Sequence, residues 1–220
     1  MDPTDLIDAI KQGNITQAYA LVETEPALAG AKTAIGVSMI LLATYYGHSD
    51  IASMLATRVP TLDVYEASAI GDLARVKEIV SADPACVNSF APDGFFPLGL
   101  AAFFGHADVA DYLLAHGADP NLAANNPQHV TALHAATASA NLAIARRLIM
   151  QGADVNARQV NNFVPLHNAA QNGQIEMIEL LLSRGADVNA PSDDGKTALT
   201  FALEHEHYDA AKLLKQHGAQ

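Results

Sequence analysis

Tryptophan is absent from this chain of 220 residues, cysteine occurs once, and aromatic residues make up only 6%. With Cys86 alone, no disulfide closes within the chain and a cysteine-rich zinc site is excluded. Basic residues are scarce: 12 Lys and Arg stand against 24 Asp and Glu, a formal charge of −12. The longest basic run is Arg146-Arg147. That is too little to neutralise a track of phosphates, so no nucleic-acid partner is expected. No apolar run approaches the length of a membrane span, and Met1-Asp2-Pro3-Thr4-Asp5 lacks the basic start of a secretory signal. The expectation is a soluble, cytoplasmic protein without a membrane partner. Gly-x-Ser-x-Gly, the phosphate-loop pattern and His-Glu-x-x-His are also missing, so neither an enzyme nor a cofactor is expected.

What the chain does contain is apolar residues, 50% of the total, set in short amphipathic stretches. The clearest runs from Asn162 to Ala190. Pro165 opens a first helix, where its missing N–H costs nothing, and Gly173 ends it. A second helix is expected over Ile175–Ser183, with Met177, Ile178, Leu181 and Leu182 along one stripe. Gly185 then supplies the left-handed residue that commonly closes a helix. Neither helix buries its apolar face alone, so the unit needs neighbours. They are present: Gly-Ala-Asp recurs at Gly117, Gly152 and Gly185, and Gly218-Ala219 begins another copy.

A period near 33 residues with Thr131-Ala132-Leu133-His134-Ala135-Ala136, Val164 to Ala169 and Thr197-Ala198-Leu199 resembles the ankyrin-repeat family. Gly-Ala-Asp-Val-Asn-Ala at 152–157 and 185–190 is similar to a second family signature. The resemblance implies an all-α ankyrin-repeat solenoid of helix-turn-helix units. The glycine after each first helix serves as a ruler and gives about seven units in a single domain over 1–220, near 4–32, 33–60, 61–90, 91–126, 127–158, 159–191 and 192–220. The end units are polar on their outer sides, as capping repeats must be. The step at Arg58-Val59-Pro60-Thr61 is short, so one extended turn is expected to be missing there. Shifting the chain by 58 residues matches Gly13 with Gly71, Pro26 with Pro84, Gly36 with Gly94 and His48 with His106. The amino-terminal half therefore reads as a duplicated pair of units.

Nine histidines raise the question of metal or acid–base chemistry. The repeat absorbs most of them: His134 and His167 occupy the slot where the resemblance implies a hydrogen bond between turns. His48 and His106 follow a helix-ending glycine, and His116 and His217 sit near helix C-termini, where an imidazole suits the dipole. His205 and His207 share one ion only if they lie in a loop, so no metal site is expected. Cys86 is read as filler of a small apolar gap.

In this family the turn tips and first helices form a concave groove. The two residues before each helix-ending glycine, and the turn residue ten before it, are its exposed slots. Here they hold Tyr45 and Tyr46, Ala69 and Ile70, Phe103 and Phe104, and Gln171 and Asn172, with Val37, Phe95, Val130 and Phe163 in the turns. Aromatic residues in a groove supply large contact area with few torsions to freeze. The expected function is recognition of a protein or peptide through Tyr45, Tyr46, Ile70, Phe95, Phe103, Phe104, Phe163, Gln171 and Asn172, without catalysis. The acidic surface favours a basic partner, and a monomer is expected. Tyr46 and Phe104, two units apart, are expected roughly 20 Å from one another. The packing alternative is that one ring of each pair tucks between first helices. Other functions compatible with the sequence are self-association through the aromatic patch, and small-molecule or metal binding at a Phe-lined notch near Pro60 or at His205/His207.

Overall fold

A computed structural model describes residues 3–220; Met1 and Asp2, which begin the amino-terminal stretch read above, lie outside the described residues. Among the described residues fourteen α-helices follow one another. The first helices of successive pairs are α1 (Thr4–Lys11), α3 (Met39–Tyr45), α5 (Val64–Ile70), α7 (Pro97–Phe104), α9 (Ala132–Ala138), α11 (Pro165–Gln171) and α13 (Ala198–Glu204). Each is followed by its second helix: α2 (Ile15–Thr24), α4 (Ser49–Ala56), α6 (Leu73–Ala82), α8 (Ala107–Ala115), α10 (Leu142–Met150), α12 (Ile175–Ser183) and α14 (Tyr208–Gln216). Each pair packs together, and first helices also pack on first helices of the neighbouring pairs. The result is an all-α solenoid with a long core rich in Leu, Ile, Val and Ala and a small second cluster of Val37, Leu41, Ala69 and Leu100.

The helices are short, and their ends are specified locally. Asn14, Ser38, Asp63, Asp72 and Thr131 each accept a backbone N–H from the first turn they precede. Helix α12 has the expected span, and Met177, Ile178 and Leu181 are buried as its pattern required. Leu180 is buried as well and Leu182 only half so, because α12 has neighbours on both sides and needs a broader apolar face than one stripe. The glycine after a first helix serves two ends at once. Gly71 sits at φ +79°, and a Cβ there would lie 2.4 Å from the His106 ring. The imidazole of the next unit thus packs on bare backbone, and its Nε2 reaches the Ala69 carbonyl at 2.9 Å. His48 over Gly13 and His207 over Gly173 repeat the arrangement.

Five junctions carry an extended turn closed by a backbone hydrogen bond. In these turns the N–H groups of Thr33, Ala91, Ala124, Gln159 and Ser192 donate to the carbonyls of Val37, Phe95, Val130, Phe163 and Lys196. The tips also join one another: Asn125 N–H donates to Gly94 O, Val160 N–H to Gln128 O and Asp193 N–H to Asn161 O. Between α4 and α5 there is no such turn, as the short step required; Arg58 N–H simply closes on Leu55 O. The flanking turns close up across the gap, so a Cβ on Gly36 would stand 2.9 Å from Pro92 Cβ.

On the opposite edge runs an asparagine ladder. Asn88 donates to Gly117 O and accepts from Asp119 N–H; Asn121 does the same for Gly152 and Asp154. Asn156 serves Gly185 and Asp187, and Asn189 serves Gly218 and Gln220.

Candidate protein-binding groove

The concave side is built from the first helices and the turn tips. Its centre is α7, whose sequence Pro-Leu-Gly-Leu-Ala-Ala-Phe-Phe is apolar on every side. Phe96 precedes it in an extended conformation and makes no side-chain cap. Its ring is instead buried to 1% exposure, so the Thr slot gives up a capping bond for core volume. At the other end, Phe103 remains 47% exposed while Phe104 is half-buried, their rings meeting edge to face at 5.1 Å.

Tyr45 reaches this cluster from α3. Its ring stacks on Phe104 at 6.2 Å and meets Phe95 edge-on at 6.0 Å. Its hydroxyl donates to Asp93 Oδ2 at 2.8 Å. Burial, then the Asp93 carboxylate, push the phenol pKa well above the usual range. Together with Leu100, Val130, Ala135 and Ala138, these rings line an apolar pocket of about 400 Å3. Such a volume falls within the range of built binding sites. Its polar rim is Gln128, Gln159, Asn168, Thr131 and His134, with no Asp, Glu, Lys or Arg among the lining residues.

The structure thus brings four of the nine expected contact residues into one site: Tyr45, Phe95, Phe103 and Phe104. Tyr46 is 48% exposed but lies outside the pocket. Ile70 is half-buried in a neighbouring hollow of about 250 Å3 that it shares with Phe104. Phe163 lies one unit along, its ring packed on Phe201 at 4.8 Å and His167 at 5.1 Å. Gln171 faces His205 at 3.4 Å, and Asn172 is exposed beyond it.

Several slots depart from the expected exposure. Val37 is buried at 5% and Ala69 at 1%, and Phe95, Val130 and Phe163 are half-buried. The two aromatic pairs are also closer than a two-unit spacing suggests, because the small Ala69 lets Tyr45 pass over α5 to reach Phe104. The notch near Pro60 is not Phe-lined. Its walls are Val59, Leu62 and Tyr65, with Lys32, Arg75 and Glu66. Glu66 Oε2 accepts from Asp63 N–H at 2.9 Å, and burial holds its carboxyl above the usual carboxylate range. Leu100, Gln128, Gln159 and Asn168 escaped the sequence reading. The available signal was Gly99, which stands where the units of α9 and α11 carry histidine.

That histidine does structural work elsewhere. His134 Nε2 donates to the Phe163 carbonyl at 3.2 Å while its Nδ1 faces Thr131 Oγ1 at 2.9 Å. His167 Nδ1 accepts from Val164 N–H at 3.2 Å, so its Nε2 is the donor to Ala190 O at 2.8 Å. Burial lowers both pKa values, that of His134 to about 4. His205 and His207 lie in the turn between α13 and α14; His205 Nδ1 bonds the Phe201 carbonyl and the His207 ring covers Gly173. Among the described residues no three His, Cys, Asp or Glu side chains group as metal ligands, and no helix is long and apolar enough to cross a membrane. Cys86 is buried, and burial raises its thiol pKa.

Paired helices, turn tips and a concave apolar face define a repeat protein that presents a surface. The family model described as ankyrin repeats (3 copies) matches residues 64–159 and 158–220. The chain belongs to the ankyrin-repeat family. It is similar to ankyrin repeat and SAM domain-containing protein 6 of Rattus norvegicus, 38% identical over 101 residues that cover 46% of this chain and 11% of the relative. The Mus musculus protein of that name gives the same figures. Sex-determining protein fem-1 of Caenorhabditis elegans is 44% identical over 66 residues, 27% of this chain and 10% of that protein. The chain therefore spans about a tenth of the length of these curated relatives. Ankyrin repeats generally serve in protein–protein interaction, and proteins of the family are typically non-catalytic scaffolds.

Proposed function

We propose that this chain is one array of seven ankyrin repeats that captures a partner protein or peptide in its concave groove, without catalysis, as a cytoplasmic monomer. The observation that carries the reading is the continuous aromatic surface of Tyr45, Phe104 and Phe103 around an uncharged pocket, with Phe103 about half exposed. A packed core has no use for a half-exposed phenylalanine, whereas an interface gains contact area from it at little torsional cost. The groove is held by the helix pairs behind it, so little ordering is lost on binding. The charge of −12 favours a partner with basic flanks, mainly through its rate of association.

The test is affinity capture from a native lysate with wild type and Phe103→Ala, after circular dichroism has shown equal folding. A partner held by wild type and lost by the variant supports groove recognition. A partner held equally by both moves the binding surface elsewhere on the molecule.

A further inference from the structure

The central pocket lies where the repeat of α7 has glycine in the slot that the repeats of α9 and α11 fill with histidine. In α9 and α11 the fourth residue of the Thr-Pro-Leu-His stretch sends an imidazole to the next turn's carbonyl, His134 to Phe163 and His167 to Ala190. The same stretch at α7 reads Phe96-Pro97-Leu98-Gly99. No imidazole projects from position 99. Phe96 leans over the bare backbone, so close that a Cβ on Gly99 would stand 3.0 Å from its ring. The ring fills only part of the space, and the remainder is the pocket that Gly99, Leu100 and Val130 line.

The rim of that pocket is chemically distinctive. The side-chain amides of Gln128, Gln159 and Asn168 lie on three elements along the groove: the turn before α9, the turn before α11, and α11 itself. Gln128 is exposed and Gln159 and Asn168 are partly so, and among the described residues none of the three makes a side-chain hydrogen bond. Each offers a donor and an acceptor, the complement of a peptide unit. An extended backbone advances about 3.3 Å per residue, so roughly three residues span one repeat step of about 10 Å.

Resting on the groove reading above, we propose that the pocket receives one bulky apolar side chain of an extended, locally uncharged partner segment. The peptide groups of that segment pair with Gln128, Gln159 and Asn168. A charged side chain entering here would lose its hydration with no opposite charge among the lining residues to replace it. The acidic residues of the chain act on approach and on flanking regions, while the pocket itself selects for apolar volume.

The test is selection of a random-peptide phage library on the full chain, followed by affinity measurements on variants. Ala138→Trp places an indole at the mouth of the pocket from an exposed position, with its fold checked by circular dichroism. Enriched peptides should share a single Leu, Ile, Met, Phe or Trp between uncharged residues. They should bind Ala138→Trp about tenfold or more weakly. The isosteric Gln159→Glu should weaken them severalfold without changing which anchor they prefer. Peptides anchored by a charged residue, or bound equally by Ala138→Trp, would overturn the proposal. If such peptides are nevertheless lost by Tyr46→Arg or Asn172→Arg, the groove reading stands and the pocket assignment alone fails; if these variants also bind equally, both fail. Absence of any enriched peptide overturns the pocket assignment too, and toluene then shifting the Leu100 and Val130 methyl resonances would identify a small apolar ligand in place of a peptide.

Discussion

Tyr45 and Phe104 stack with ring centroids 6.2 Å apart, although the whole α5–α6 pair lies between them in the chain. The contact depends on Ala69, whose small side chain leaves α5 low enough to be crossed, and on the missing turn, which lets Asp93 approach the Tyr45 hydroxyl. Tyr45→Phe keeps the ring and removes only the donor to Asp93. A hydrogen bond to a charged acceptor contributes about 1.5 kcal/mol at a half-buried site, so the melting temperature should fall by roughly 4 °C. An unchanged midpoint would mean that the bond contributes nothing in solution.

The phenylalanines around α7 should separate by depth. Phe96→Ala removes a ring at 1% exposure and should cost about 4 kcal/mol. Phe104→Ala loses a half-buried ring and its stack on Tyr45, and should cost about 2 kcal/mol. Phe103→Ala, at 47% exposure, should cost less than about 1 kcal/mol. Urea denaturation of the three variants checks the order, and a large loss at Phe103 would place that residue in the core.

Acid should weaken the regular repeats before the carboxylates titrate. His134 and His167 have folded-state pKa values below the unfolded value of about 6.5, so the unfolded chain binds more protons in acid. Their contribution is complete above that pH and is lost as pH falls, for His134 toward about 4. The loss from His134 alone reaches about 3 kcal/mol at the lower end. Urea midpoints across this range should show the fall. His134→Gln, which keeps a donor for the Phe163 carbonyl but does not titrate, should flatten the curve.

Backbone conformation gives two predictions of opposite sign. Gly71→Ala demands φ +79° of alanine and drives its Cβ into the His106 ring, so it should destabilise by well over about 1 kcal/mol. Ala140→Gly acts at the equivalent corner, where alanine already sits at φ +58°. Release of the left-handed conformation should stabilise by about 0.5–1 kcal/mol. Thermal unfolding of both variants tests whether the corner or the imidazole packing sets the requirement.

The fold was legible because its signals are local. Turn glycines, Thr131 and Asn14 as caps, and the α12 periodicity each act within a few residues. The absent turn at Pro60 was legible too, as a short step between glycines. What that absence does lay beyond any local pattern. Closure of the turns at Gly36 and Pro92 covers Val37 and Ala69 with side chains from α3 and α7, so slots that face solvent in a regular array are buried here. The aromatic cluster was found by composition and spacing. The amides of Gln128, Gln159 and Asn168 were not, since each is an ordinary polar residue until the neighbouring units place it beside an empty histidine slot.

The asparagine ladder begins at Asn88, and the residue matching it in the first duplicated half is Gly30, which has no side chain to bridge with. Every later junction is stitched to the next by the amide of one asparagine, and the earlier ones are not. In an array where each unit leans only on its neighbours, such a difference sets a direction of fraying. Amide protons at Asp119, Asp154 and Asp187 should exchange slowly and together, while the first two helix pairs open first and alone.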